Sequence, residues 1–382
     1  MDIHFSEREY ASRKKATLAS MNERGLDGLI MFRQESMYYL TGLHTFGYCF
    51  FQVVFLDGDG HTTLLTRLPD IHASETTALV DERREWINLP GANPALYLRD
   101  LLEARGCQGK RLGIELDAYG LTAANYRLVE AALRYFCELD DASDLITRLR
   151  VVKSRKELSY CRKAGRLADA ALDEAHRLTV PGASEGDILA AMQGAVFRGD
   201  GDYSGNEFII NSGPRAKFGR YVTGRRTLDA KDQLTIEWAG VYRFYHAAMM
   251  RTVLTGRANK QQLALHAAAV DAHHASAAQL RPGKTFGDVF DAYARSATAA
   301  GYKHLRATGY SLGATFPPTW MDWPMFWEGN SAPIEAGMVV FIHTMLMTRN
   351  ERWAQCPGQT YIVTGDGPES LSKRELELVA NV

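Results

Sequence analysis

Apolar and polar residues alternate along the chain in two distinct periods, and the two halves use them differently. In the first 150 residues, helical and strand patterns follow one another in turn. "FSEREYASRKKATLASMNERG" predicts a helix, with Ser6 and Glu9 at capping-box spacing behind Phe5 and a stop at Gly25. "LDGLIMF" predicts a short buried strand. "CFFQVVFLDGDGHTTLLT" predicts a hairpin turning on Asp57, Gly58, Asp59 and Gly60. "NPALYLRDLLEARG", "KRLGIEL" and "TAANYRLVEAALRYF" continue as helix, strand and helix, the signature of an α/β domain over residues 1–150.

Past the polar segment around "DASDLITRLRVVKSRKE" the pattern changes. Leu158, Cys161, Ala164, Leu167, Ala168 and Ala171 recur near helical spacing, which predicts a long amphipathic helix ended by Pro181 and Gly182. Further helices are predicted in "SEGDILAAMQGAVFRGD", "KQQLALHAAAVDAHHASAAQL" and "TFGDVFDAYARSATAAG". The stretches "EFIINSGP", "DQLTIEWAGVYRFYHAAMMRTVLTG", "GMVVFIHTMLM" and "QTYIVTGDG" are β-rich. Residues 151–382 are therefore expected to form an α+β domain.

Composition narrows the functions available. With 46% hydrophobic and 23% charged residues, the 382-residue chain has the make-up of a soluble two-domain protein. A net charge of −1 offers no electrostatic footprint for nucleic acid or an anionic membrane. The five cysteines lack metal-ligand or disulfide-framework spacing, and the polar N-terminal segment has no apolar signal core. A cytoplasmic location with reduced thiols is expected.

The chemistry concentrates in two stretches. In "QLTIEWAGV", Leu234, Ile236 and Trp238 share one strand face, and Thr235 and Glu237 the other. A carboxylate in mid-strand needs a partner or a task. An ion pair with Arg251 on the returning strand is one reading of Glu237, and catalysis is the other. His246 fits either a structural imidazole or a proton relay, and Tyr242 and Tyr245 fit either β-formers or hydroxyl donors to a substrate. The second stretch, "ATGYSLGATFPPTWMDWPMFWEGN", carries Tyr310 and three of the six tryptophans, including Trp320. It is expected to be a loop that either packs or forms an aromatic wall for a cationic ligand.

Together these parts resemble the creatinase/prolidase/methionine-aminopeptidase group, whose catalytic domain is the pita-bread fold. The resemblance rests on Tyr245 to Arg251–Thr252, "GYSLG", "AGMVVFIH" and "YIVTGDG" in that order. It implies an α/β N-terminal domain, an α+β pita-bread C-terminal domain and a homodimer in which the partner completes the site. The segment "LTGLHTFGYCF", with His44 as a substrate contact, is the candidate for that role. The metallopeptidases of the group bind two divalent ions through two Asp, one His and two Glu. Their positions fall here on Glu237, Ala248, Tyr310, His343 and Gly358 or Gln359. One carboxylate cannot hold a dinuclear centre of hard cations, so no metal and no cofactor are expected.

The strings "EWAGVYRFYH…RTV" and "TGYSLGATFPPTW" are most similar to ectoine hydrolases, metal-independent members of the group. The histidine that creatinases use for catalysis aligns near Arg220 in "FGRYVTGRR", and arginine is no base at neutral pH. The expected activity is metal-independent hydrolysis of a C–N bond in a small zwitterionic or amidine-like compound. In that scheme Glu237 acts as nucleophile or general base, His246 relays protons, Tyr310 and Trp320 shape the pocket, and Arg220 or Arg251 holds a substrate carboxylate. Tyr242, Tyr245, His343 and His44 complete the expected substrate contacts. A creatinase-like amidinohydrolase, an Xaa-Pro peptidase and a non-catalytic binding relative are the alternatives.

Overall fold

The computed structural model describes residues 2–217, 219–220, 224–305, 307–348 and 353–381. Its contacts divide the chain into two compact units, Met1–Arg150 and Val151–Val382.

The first unit is built on a six-stranded sheet of order β4-β3-β2-β1-β5-β6. The strands are β1 (Gly28–Met31), β2 (Val53–Asp57), β3 (Thr62–Thr66), β4 (Glu82–Glu85), β5 (Arg111–Ile114) and β6 (Glu138–Asp141). The hairpin expected at the Asp57–Gly60 turn is β2–β3, and the expected first helix is Glu7–Glu23, where Ser6 Oγ accepts from the Glu9 amide. Glu115 is fully buried at the end of β5, and its carboxylate accepts from the Phe32 and Arg33 amides and the Ser36 hydroxyl. These donors open the helix Gln34–Thr41, so a buried charge is satisfied by a helix N-terminus.

The second unit centres on a curved sheet whose main path runs β11-β10-β12-β15-β9-β8-β7. Its strands are β7 (Ile209–Ser212), β8 (Asp232–Tyr242), β9 (Tyr245–Thr255), β10 (Ala307–Ser311), β11 (Asp322–Trp327) and β12 (Val339–His343). The short pair β13 (Leu346–Met347) and β14 (Ala354–Gln355) precedes β15 (Gly358–Thr364), β16 (Gly367–Ser370) and β17 (Val379–Asn381). The expected long helix spans Arg155–Leu178, with a full capping box at Ser154 and Glu157. It lies along β8 and β9, and with the helix Glu185–Arg198 it buries Ile236, Trp238, Met249 and Val253. The helices Lys260–Ala277 and Phe286–Ala299 cover β11 and β12, with Phe286 stacked on Phe326 at 4.5 Å.

The expected aromatic loop is partly strand. β10 and β11 pair antiparallel, with Trp320 of the connection and Phe326 of β11 both in the interior. No helix among the described residues is long and apolar enough to cross a membrane.

Helix and hairpin meet at contact distance. Trp238 Nε1 donates to the Ala168 carbonyl at 3.0 Å, and a Cβ on Gly240 would sit 2.0 Å from the Ala164 carbonyl oxygen. Backbone cannot yield as a side-chain tip can. Gly240→Ala should therefore force strand and helix apart and cost about 1–3 kcal/mol or more, measured by chemical denaturation.

Candidate active site

The pairing of β8 with β9 decides which side chains share a face. Glu237 opposes Met250, Ala239 opposes Ala248, and Val241 opposes His246, all turned away from the long helix. The row continues across the sheet, because Met250 pairs with Gly358 and Gly358 with His343. Tyr310 pairs with Phe341, two residues before His343, so the Tyr310, Phe341 and His343 rings gather on that face at 5.5–5.9 Å. On the other side of β8, Glu237 opposes Ile209 of β7.

Glu237 is 9% exposed, and its carboxylate has no hydrogen bond among the described residues. Burial pushes its pKa up to about 7, and the positive charge of Arg220 opposes that rise. Its negative charge in turn adds to the effect of burial in raising the Tyr310 phenol and the Cys356 thiol, so both stay protonated at neutral pH. The Tyr310 oxygen accepts from Trp320 Nε1 at 2.7 Å, which leaves its own proton to donate. His343 is half-buried, and burial together with Arg220 brings its pKa down to about 4, so the ring is neutral. Its ring nitrogens take no hydrogen bond among the described residues. Arg220 is exposed and has no ion-pair partner there; residues 218 and 221–223 of its segment lie outside the description.

Several expected roles change. The ion pair between Glu237 and Arg251 is absent, because Arg251 points to the helix-covered face. Its guanidinium donates to the Gly358 carbonyl at 2.5 Å and to Gln359 Oε1 at 2.7 Å, tying β9 to β15 rather than holding a substrate. Tyr245 shares that face and donates to Glu157 of the helix cap at 2.6 Å, and Tyr242 packs on Tyr160. Strand alternation separates all three from Glu237.

His246 is on the correct face but lies four residues along the strand, roughly 13 Å at the rise of an antiparallel strand. Its Nδ1 donates to the Phe244 carbonyl and its Nε2 accepts from the Gly205 amide, each at 2.8 Å. Burial holds its pKa down to about 4. A neutral ring with both nitrogens engaged by backbone anchors the 202–207 segment, and no nitrogen is left for proton transfer. Trp320 helps the same segment, since its amide donates to Asn206 Oδ1. His44 belongs to the first unit, where its ring stacks on His4 at 4.8 Å and Nδ1 donates to the Gly42 carbonyl.

Residues 159–366 match the model for metallopeptidase family M24, and residues 13–152 match that for the creatinase/prolidase N-terminal domain. The chain belongs to the M24 family. An uncharacterised hydrolase/peptidase of Sinorhizobium fredii is 28% identical, over 99% of this chain and 98% of its own. An ectoine hydrolase of Halomonas elongata is 25% identical over 97% of each. An Xaa-Pro dipeptidase of Pyrococcus horikoshii is 22% identical over 96% of this chain and 98% of its own. Among solved structures, an Xaa-Pro dipeptidase from Bacillus anthracis superposes with a TM-score of 0.85 at 20% identity, covering 97% of this chain and 99% of that one. A dipeptidase from Mycobacterium ulcerans gives 0.85 at 23%, covering 98% and 99%. The fold is that of the prolidases, and the protein is an M24 hydrolase.

The family is named for its metal, yet the donors on this M24 face do not fit one. Of the five aligned positions only Glu237 is a carboxylate. At Gly358, which faces the site while Gln359 turns toward Arg251, a Cβ would meet Met250 Cβ at 2.8 Å and the Phe341 ring at 2.9 Å. Apolar side chains fill the volume a metal-binding carboxylate would need. Among the described residues no three His, Cys, Asp or Glu side chains gather as a metal site requires.

A carboxyl whose folded pKa exceeds its unfolded value favours the native state below the unfolded value, and that contribution is lost as pH rises through the folded one. For Glu237 the window runs from the usual carboxylate range to about 7. Glu237→Gln should therefore melt close to the parent below the usual carboxylate range, rise progressively above it as pH climbs to about 7, and hold a constant margin beyond, read by thermal melts across pH.

Proposed function

We propose that this protein hydrolyses a C–N bond in a small zwitterionic or amidine-like compound without a metal ion. The observation that carries the reading is Glu237, a buried carboxylate without a hydrogen-bond partner among the described residues, with its pKa at about 7. A general base works best when its pKa lies near the operating pH, because it is then both deprotonated and basic. The similarity to an ectoine hydrolase over nearly the whole chain supports the same substrate class.

In this scheme Glu237 takes a proton from a water molecule, whose oxygen attacks the amidine or amide carbon. The phenol of Tyr310 donates to the heteroatom on which negative charge develops. Protonated Glu237 then returns its proton to the departing nitrogen, the C–N bond breaks, and the carboxylate is restored. Neutral His343 accepts a hydrogen bond from a substrate N–H, the place its free ring nitrogens suit. Arg220 pairs with a substrate carboxylate and also eases ionisation of Glu237. His246 and Trp320 position the neighbouring wall.

Turnover of ectoine, creatine and Xaa-Pro dipeptides, followed by NMR, tests the scheme. On whichever compound the parent cleaves, Glu237→Gln should lose on the order of 10²–10⁴ in rate. The parent's kcat/KM should rise with pH through about 7, and Arg220→Gln should move that midpoint higher, because the cation favouring the carboxylate is gone. Exhaustive chelation should leave the rate unchanged. Full activity in Glu237→Gln, or activity restored only by divalent ions, contradicts the proposal.

A further inference from the structure

A cavity of about 660 Å³ lies at the β7 edge of the sheet, between the end of the helix Glu185–Arg198, the 202–209 segment and Arg220, within the size range of ligand sites. Two observations join it to the reactive face. Ile209 lines it, and Ile209 is the cross-strand neighbour of Glu237, so their side chains point the same way. Arg220 also lines it, and its charge acts on both Glu237 and His343.

The lining is uneven in chemistry. Phe197 at the end of the helix Glu185–Arg198 and Tyr203 in the following segment meet edge to face at 5.1 Å. Both are exposed, at 43% and 78%. Asp202 and Glu207, on either side of Tyr203 in sequence, share the cavity wall. The Ser204 hydroxyl is buried in the same wall and has no hydrogen-bond partner among the described residues. Aromatic faces beside carboxylates attract an ammonium or amidinium group, through the ring quadrupoles and by direct charge. Arg220, by contrast, suits a carboxylate.

The segment bearing these groups is held in place. Gly205 donates to His246, and Asn206 accepts from the Trp320 amide, so two buried residues fix the wall between the aromatic pair and the reactive carboxylate. That assigns His246 and Trp320 a common positioning role.

We propose that the cavity extends the substrate site and selects an elongated zwitterion, taking its cationic end at Tyr203, Phe197 and Glu207 and its carboxylate at Arg220. The inference rests on Glu237 as the hydrolytic centre and defines the substrate class by two opposite charges held apart. A compact ring alone would leave the aromatic end of the cavity unfilled.

Calorimetric titration of the full chain with unbranched ω-amino acids, from glycine to 6-aminohexanoate, measures the separation of the two charges. Hexylamine and hexanoate serve as single-charge controls. Affinity should rise with chain length to an optimum, with the best amino acid binding more tightly than either control. Tyr203→Ala and Glu207→Gln, both at exposed side chains, should each weaken the longer amino acids and hexylamine by about 3- to 10-fold while sparing hexanoate. Arg220→Gln should weaken the amino acids and hexanoate while sparing hexylamine. Binding independent of chain length, variants indistinguishable from the parent, or no binding of any member would overturn the proposal. The Glu237→Gln variant separates the two readings. If it still turns over substrate while the length dependence holds, Glu237 is not the base and the cavity site stands; if its turnover is lost but the cavity variants are silent, the reverse follows.

Discussion

A carboxyl group in the middle of a buried strand, with no donor against it among the described residues, is the constraint around which the catalytic unit is arranged. Glu237 shares its burial and its raised pKa of about 7 with Glu115 of the first unit, but the two differ in what surrounds them. Glu115 receives two backbone amides and a hydroxyl at the start of a helix, and every part of it is used to hold the fold. Glu237 receives none. A group left unsatisfied at a cost to stability belongs to the class of features that folds retain for function.

The sheet meets this constraint by dividing its labour between faces. On the helix-covered side, Trp238 donates to the long helix, Tyr245 donates to its cap, and Arg251 links two strands. Those bonds fix β8 and β9 rigidly enough to hold a carboxyl in a place it would otherwise avoid. On the reactive side the polar groups are few and chosen: a phenol with a proton to give, a neutral imidazole with open nitrogens, and a cation at the rim. Met250 and Phe341 close the space around Gly358, so that position is packed and leaves no room for a longer side chain.

Much of this was legible in the sequence. Capping signals at Ser6 and Ser154 and the Asp57–Gly60 turn placed helix and hairpin boundaries, because local hydrogen bonds determine them. Alternation along "QLTIEWAGV" put Glu237 opposite Ile236 and Trp238, and the sheet keeps that division. Alternation already set Tyr242 on the face opposite Glu237, but it was less decisive across the hairpin, where the face of Tyr245 and Arg251 depends on register. Register is a long-range property, and it turned both toward the helix, on the side of Tyr242. His246 was misassigned for a similar reason, since its partners Gly205 and Phe244 are fixed by the tertiary path of a loop. The prolines and tryptophans of residues 316–327 suggested a loop, yet strand β11 forms there as the edge of the sheet, where proline is tolerated.

The proposed chemistry depends on the ionisation of one side chain. Difference infrared titration of the carboxyl stretch, parent against Glu237→Gln, isolates that group without requiring a substrate. A midpoint near 7 is the predicted result. A midpoint in the ordinary carboxylate range would mean that the side chain is solvated or paired in solution, and would contradict the assignment of Glu237 as the base.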